Sequence, residues 1–342
     1  MMYRIIPFGH HHEQEVPLIV LFNEQLSVEL LPFGAAVRAL WVPDRTGERV
    51  DVVLGYDDLV SYETLDACLG GTIGRCANRI GGACFRLSGK EFRLSANEGG
   101  NHLHGGLTGF HQKLWRYACS ESGVTFFLES PDGEEGYPGT LRAEVTYSLE
   151  GGALVIDYQA VSDRDTLVNL TNHAYFNLHG GDHKTSVNSH RVTINADRYT
   201  PTDSTLIPTG EIASLDGSAL DFRTPTTIGE RVLGPDSAFN YRDGYDHNYV
   251  IRRSSPDVVE TAEVYEPSTG IVMTVLTDTP GIQFFTGKSR VQQDETAPFY
   301  RSAFALEAQN YPDAPNHPDF PSAVLRPGET YRQTTVYGFS AR

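Results

Sequence analysis

Four stretches concentrate side chains able to move protons or bind hydroxyls: GGTIGRCANRIGG (70–82), NEGGNHLHGG (97–106), LVNLTNHAYFNLHGG (167–181) and FALEAQNYPDAPNHPDFPS (304–322). If TNHAYFNL is a strand, His173, Tyr175 and Asn177 share one face and Ala174, Phe176 and Leu178 the other, because successive strand side chains point to opposite faces. Solvated faces usually carry Lys, Glu and Thr, so a row of His, Tyr and Asn argues for the lining of a cleft. FALEAQN divides likewise, with Phe304 and Leu306 on one face and Ala305, Glu307 and Gln309 on the other. A carboxylate among apolar residues has its charged form disfavoured, which tunes it for base work. Pairing of Glu307 with a neighbouring arginine fits that segment equally well.

In NHLHGG, His102 and His104 would share a strand face, and the glycines behind them let a ligand approach the backbone. Two loop histidines bonded to backbone are the plain alternative. A metal pair is another, although His-x-His lacks the third ligand that zinc takes. Arg75 and Arg79 are bidentate donors to hydroxyls or carboxylates, or else pins for a loop. Asp246 opens the run DHNYVI, where a turn cap is the commoner role. The run His10–His12 has no later cluster to support it and reads as a solvated N-terminal loop. The chain has no G-x-S-x-G elbow, phosphate-binding G-x-x-x-x-G-K-[ST] loop, H-E-x-x-H or strand-linked G-x-G-x-x-G, which removes serine hydrolases, P-loop enzymes and Rossmann dehydrogenases.

Strands must position these groups. VPLIVLF (16–22), RVDVVLGY (49–56), VTFFLES (124–130), LRAEVTYSL (141–149), ALVIDYQAV (153–161) and YRQTTVYGF (331–339) are β-type runs, and VETAEVYEPSTGIVMTVLT (259–277) reads as a hairpin. With 33 glycines and 19 prolines at the breaks and little helical periodicity, the pattern predicts an all-β protein, a large antiparallel sandwich or barrel. Its 342 residues give a soft prior of two domains, yet no linker, repeat or composition shift divides them, so a single domain over 1–342 is expected.

Composition sets the partners. Lys and Arg number 27 against 44 Asp and Glu, a net charge of −17, which repels phosphate backbones and anionic membranes. Nucleic acid and membrane are therefore not expected, and a small molecule is. Cys68, Cys76, Cys84 and Cys119 form no CxxC pair, so reduced thiols are expected. No stretch approaches the ~18 apolar residues of a membrane span. The N-terminus lacks a signal-like apolar core, and the cytoplasm is the expected compartment.

Together these segments resemble the aldose 1-epimerases, or galactose mutarotases. GRCANRI, the FRLSGKEFRL hairpin (85–94), the signature Asn101-x-Leu103-His104-Gly105-Gly106, NHAYFNL, DGYDHNYV, PGIQFFTG and FALEAQNYPDAPNHPDFPS follow in the family's order over most of the chain. The resemblance implies a large β-sandwich of the galactose mutarotase-like supersandwich type, acting on free aldohexoses such as galactose and glucose, with no cofactor and no metal. It implies His173 as general acid, Glu307 as general base and His104 as a second histidine close to the sugar. Asn78, Arg79 and Asp246 would bind sugar hydroxyls, with Tyr175, Gln283 and Gln309 as further pocket residues. Ring opening would pass the C1 hydroxyl proton to Glu307 while a charged His173 protonates the ring oxygen. Nearby carboxylates, Asp246 or Glu307, would favour that imidazolium.

Two alternatives remain at this level: a 1-epimerase for hexose 6-phosphates, which needs an Arg or Lys cluster, and a non-catalytic sugar-binding protein of the same fold. Monomer and homodimer are both open.

Overall fold

A computed structural model describes residues 2–65, 68–180, 185–232, 244–286 and 302–342. Gly181, Asp243 and Gly287, at the ends of three of the motif stretches, lie outside the described residues.

Alternation of side chains builds the largest sheet. Along Leu141–Glu150 every second residue (Leu141, Ala143, Val145, Tyr147, Leu149) is buried and those between are half-buried or exposed. A strand with one apolar face needs a partner layer to cover it. Here nine strands run side by side, all antiparallel, in the order Arg116–Ser120, Gly123–Ser130, Leu141–Glu150, Ala153–Ser162, Tyr331–Ala341, Ile271–Thr277, Val259–Tyr265, Arg191–Ile194 and Thr226–Thr227. The C-terminal strand thus lies in mid-sheet. The hairpin expected over 259–277 is present as Val259–Tyr265 and Ile271–Thr277.

A five-stranded sheet holds the N-terminal strands Met2–His11, Gln14–Phe22, Ser27–Leu31, Ala36–Pro43 and Arg49–Asp51. The expected run over 49–56 shortens to Arg49–Asp51 with an isolated bridge at Val53, because Val53 pairs with Phe176 instead. His10–His12 is not a loop. His10 and His11 end a strand paired with Gln14–Phe22, His12 makes the turn at φ 53°, and Glu63 bonds the His11 ring at 2.6 Å.

The third sheet orders Ala213–Ser214, Ala196–Tyr199, Asp246–Ile251, Gly281–Phe285 and Ala305–Gln309, again antiparallel. One hydrophobic cluster joins all three sheets, through Leu21 and Val28, through Val145, Ile156 and Tyr337, and through Ile282, Phe284 and Leu306. Each such side chain contributes about 1.5–3 kcal/mol when fully buried. The FRLSGKEFRL stretch forms the expected hairpin, Cys84–Leu87 with Lys90–Arg93. Among the described residues the helices are short, Leu59–Thr64 and Ile228–Val232, and none is long and apolar enough to cross a membrane.

Candidate active site

The third sheet divides its two faces by chemistry. Cross-strand partners share a face, so Asn248 opposite Gln283 and Gln283 opposite Glu307 form one polar row. Asp246, Phe285 and Ala305 form the row beside it, and Gly281 opposite Gln309 the row on the other side. Tyr249, Ile282, Phe284 and Leu306 lie on the reverse face in the core. Alternation in DHNYVI, GIQFF and ALEAQ therefore aims every second residue at one cleft. Glycine is required at 281, since a Cβ there would meet Asn248 Oδ1 at 2.4 Å.

The strand carrying Glu307 is a sheet edge, and its outer side is covered residue by residue. Phe304 exchanges backbone bonds with Phe176 at 2.7 and 3.0 Å, Tyr337 donates its hydroxyl to Leu306 O at 3.2 Å, and Gln333 donates Nε2 to Ala308 O at 3.1 Å. Asn310 N–H donates to Asn169 Oδ1 at 2.8 Å. An unpaired edge would be left with orphaned carbonyls. Here it is a rigid mount on which Glu307 is 2% exposed.

His173 arrives from a different direction. After the short strand Thr171–Asn172, its backbone is held at both ends by Gly70 and Gly71 (Gly70 N–H to His173 O 3.0 Å, His173 N–H to Gly71 O 2.9 Å). Its Nε2 lies 3.6 Å from Glu307 Oε1, and its ring stacks on Tyr175 with centroids 4.7 Å apart. Asn177 does not join them. It is buried, with Nδ2 donating to Thr185 O and Ser302 O, because the chain is not a continuous strand through 173–177.

His104 and Asn78 hold each other. Asn78 N–H donates to His104 Nδ1 at 3.2 Å and His104 N–H donates to Asn78 O at 3.0 Å, with both residues at positive φ. A ring nitrogen that accepts carries no proton, so the neutral His104 ring has its proton on Nε2. His104 lies edge-on to His173 with ring centroids 5.4 Å apart. Gly105, at φ +88°, lets this turn press on Gly74, where a Cβ would fall 1.8 Å from the carbonyl oxygen. His102 and His104 therefore do not share a face, since the chain turns at 104. His102 points away, bonded to Ser95 O at 2.7 Å and the Tyr137 hydroxyl at 2.7 Å.

The two arginines part company as well. Arg75 is 2% exposed and pins a loop, bonding Ser130 Oγ, Ser130 O, Pro131 O and Pro138 O. Arg79 faces the cleft. Its Nε and one terminal nitrogen donate to both oxygens of Glu98 at 2.5 and 2.8 Å, while its other terminal nitrogen is 3.6 Å from Asp246 Oδ2. Gln283 Nε2 donates to Asp246 Oδ1 at 2.5 Å. Asp313, from the stretch after Glu307, accepts from Gly81 N–H and donates its own N–H to Arg79 O, fixing the segment that bears Asn78 and Arg79.

Burial shifts both members of the pair. It lowers the His173 pKa to about 4 and raises the Glu307 carboxyl well above its usual range, with Asp246 pushing Glu307 further up and Arg79 opposing. Desolvation thus works against the expected imidazolium, and it disfavours the charged form of both groups. Buried polar atoms without a partner among the described residues gather on this face: Glu307 Oε2, His173 Nδ1, Gln283 Oε1, Asn248 Oδ1 and both amide atoms of Gln309. Such atoms are rare in folded proteins and call for a ligand or water.

Glu98 and Asn248 were not singled out by sequence. Glu98 lay within the 97–106 stretch, and Asn248 was two residues from Asp246 on the same strand face. His104, His173 and Glu307 each offer a ligand atom within 4.8 Å of the others, so the trio has metal-like spacing. The Nε2 proton of His104 argues against that use, since a neutral imidazole ligates through its bare nitrogen, and here that nitrogen already accepts from Asn78.

Comparison with known proteins agrees with the sheets. The sequence profile described as aldose 1-epimerase matches residues 17–338. The chain is 44% identical over 324 residues to the galactose mutarotase of Sus scrofa, covering 94% of this chain and 93% of that protein. It is 34% identical over 326 residues to the aldose 1-epimerase of Escherichia coli K12, covering 93% of each. Among solved structures, an aldose epimerase homologue from C. elegans superposes with a TM-score of 0.86 at 32% identity, covering 95% of this chain and 99% of that one. The chain belongs to the aldose 1-epimerase family. Its fold is the all-β galactose mutarotase-like sandwich expected from the strand pattern.

Proposed function

We propose that this enzyme interconverts the α and β anomers of free aldohexoses, galactose and glucose among them, in a single domain spanning 1–342. The observation that carries this reading is the buried pair of His173 Nε2 and Glu307 Oε1, 3.6 Å apart. Opening a pyranose requires one group to take the C1 hydroxyl proton and another to give a proton to the ring oxygen. A histidine and a carboxyl at this spacing can supply both.

A sugar hydroxyl donating to Glu307 stabilises the carboxylate, and a carboxylate there favours a proton on His173. Glu307 then takes the C1 hydroxyl proton as C1=O forms, the C1–O5 bond breaks, and His173 protonates O5. Rotation about C1–C2 presents the other carbonyl face. Closure returns O5–H's proton to His173 and the Glu307 proton to the new C1 oxygen. His104 Nε2–H donates to a sugar oxygen, Asn78, Arg79, Asp246 and Gln283 hold hydroxyls, and Tyr175 fixes the His173 ring. Gln309 lies beside Glu307 on the same strand face, opposite Gly281. Protons move in pairs and no electrons are exchanged, so no redox cofactor is needed.

A phosphorylated hexose fits less well. Among the described residues the charged groups converging here are Arg79 against Glu98, Asp246 and Glu307, and Arg79 is already engaged bidentately. A non-catalytic sugar binder would have no use for a paired acid and base. Four free cysteines fit a reducing cytoplasm. Polarimetry on freshly dissolved α-D-galactose and α-D-glucose, with glucose 6-phosphate alongside, tests the reading. Acceleration of the two free sugars supports it, and buffer rates for all three end it.

A further inference from the structure

We propose that Glu98 is a positioning residue that keeps a slot for one sugar hydroxyl open between Arg79 and Asp246. The inference rests on the sugar-epimerase reading and adds a residue to it. Three observations carry it. Glu98 takes two donors of the Arg79 guanidinium, Nε at 2.5 Å and one terminal nitrogen at 2.8 Å, in the fork geometry that fixes a guanidinium plane. The remaining terminal nitrogen stops 3.6 Å from Asp246 Oδ2, beyond hydrogen-bond length for a direct contact. Asp246 is restrained from the other side, where Gln283 Nε2 holds its Oδ1 at 2.5 Å.

The result is a donor and an acceptor facing one another across a gap neither side closes. A sugar hydroxyl can accept from an N–H and donate to a carboxylate at once. Arg79 is nine-tenths buried, so an unrestrained guanidinium would move to pair with Asp246. Glu98 prevents that by satisfying the guanidinium from behind. It stands on the tight turn Glu98–Asn101, closed by backbone bonds in both directions at 3.1 and 2.8 Å, which makes it a firm anchor although it is itself half-buried. Glu98 touches no reacting atom in this scheme. It acts through Arg79.

Glu98→Gln keeps the shape and removes the charge. We expect KM for galactose to rise about tenfold with kcat within threefold and an unchanged melting temperature. The discriminating readout is a panel of 2-, 3-, 4- and 6-deoxygalactose assayed with both proteins. One of these sugars, lacking the hydroxyl that fills the slot, should be handled equally by wild type and Glu98→Gln, while the others keep the tenfold difference. Glu98→Asp, which restores a carboxylate, should recover part of the KM. An unchanged KM in Glu98→Gln overturns the proposal, as does a rise of equal size for every sugar of the panel. If the wild-type protein fails to accelerate mutarotation, the activity reading falls on its own. Calorimetric binding of galactose and the same panel to wild type and Glu98→Gln then decides the slot by the same pattern.

Discussion

The imidazole of His173 and the carboxyl of Glu307 meet at 3.6 Å although one comes from a loop after Thr171–Asn172 and the other from the edge strand Ala305–Gln309. Both are under 5% exposed, and burial disfavours the charged form of each. In the proposed mechanism the two side chains act as one unit.

Removing either member should therefore disable the reaction and not the fold. A positioned acid or base contributes roughly 10²–10⁴-fold. Glu307→Gln and His173→Asn are each expected to lower kcat at least about 100-fold, with circular dichroism unchanged. The double variant should lose little more than the worse single one, as residues acting as a unit are non-additive. Near-normal turnover in Glu307→Gln would remove the base assignment.

The mount of Glu307 gives a second expectation. Tyr337 donates to Leu306 O at 3.2 Å, one residue from Glu307, from the middle of the nine-stranded sheet. Tyr337→Phe keeps the ring and orphans that carbonyl, a loss of about 1–3 kcal/mol. Stability to urea should fall by this amount, and kcat by several-fold with KM little changed, because the carboxyl loses alignment and the hydroxyl-binding groups do not. A drop in stability with kcat intact would show that the edge bond supports the sheet alone.

The tautomer of His104 predicts indifference to chelators. Its Nδ1 accepts from Asn78 N–H at 3.2 Å, which leaves Nε2 protonated and turned to hydrogen bonding. Mutarotation rates measured after exhaustive dialysis against EDTA should equal the untreated rate. A loss restored by added Zn²⁺ would contradict the tautomer and point to metal at His104, His173 and Glu307.

Much of this was legible in the sequence because the period of two is a strong signal. Leu141–Glu150 and Ala305–Gln309 obey it, so their faces and the candidacy of Glu307 could be assigned from letters alone. The strands Gln14–Phe22 and Tyr331–Ala341 followed from β-branched and aromatic content, whereas the strand Met2–His11 did not. What the pattern hid were places where the chain leaves regular structure. His104 takes φ +51° and so parts from His102, and the 173–177 stretch leaves the strand, which sends Asn177 to backbone carbonyls. The fates of Arg75 and Arg79, four residues apart, depended on loops at 130–138 and at Glu98 that no local spacing reveals. The shifts of His173 and Glu307 depended on burial depth, which a sequence does not state.

Burial of His190 also makes a pH-dependent contribution to the stability of the fold. His190 is fully buried, accepts from Leu178 N–H at 2.9 Å through Nε2, and packs edge-on against Phe304 beside the Glu307 strand. Burial lowers its pKa to about 3, with His179 pushing the same way. The unfolded value is about 6.5, so the native state binds fewer protons and the stabilising difference is complete above about pH 6.5. As pH falls from about 6.5 towards 3, this group alone removes about 1.4 kcal/mol per pH unit. His173, lowered to about 4 by burial, adds a loss of the same sign. Buried carboxyls raised by desolvation, Glu307 and Asp51 among them, change stability in the opposite sense. The His190 contribution is therefore read as the difference between wild type and a His190 variant in urea unfolding at about pH 7, 6 and 5. His190→Asn, which retains an acceptor for Leu178 N–H, should start less stable at pH 7 and lose about 1.4 kcal/mol per unit less on acidification. Parallel pH profiles for the two proteins would mean that His190 is protonated in the folded state and that its bond to Leu178 does not hold.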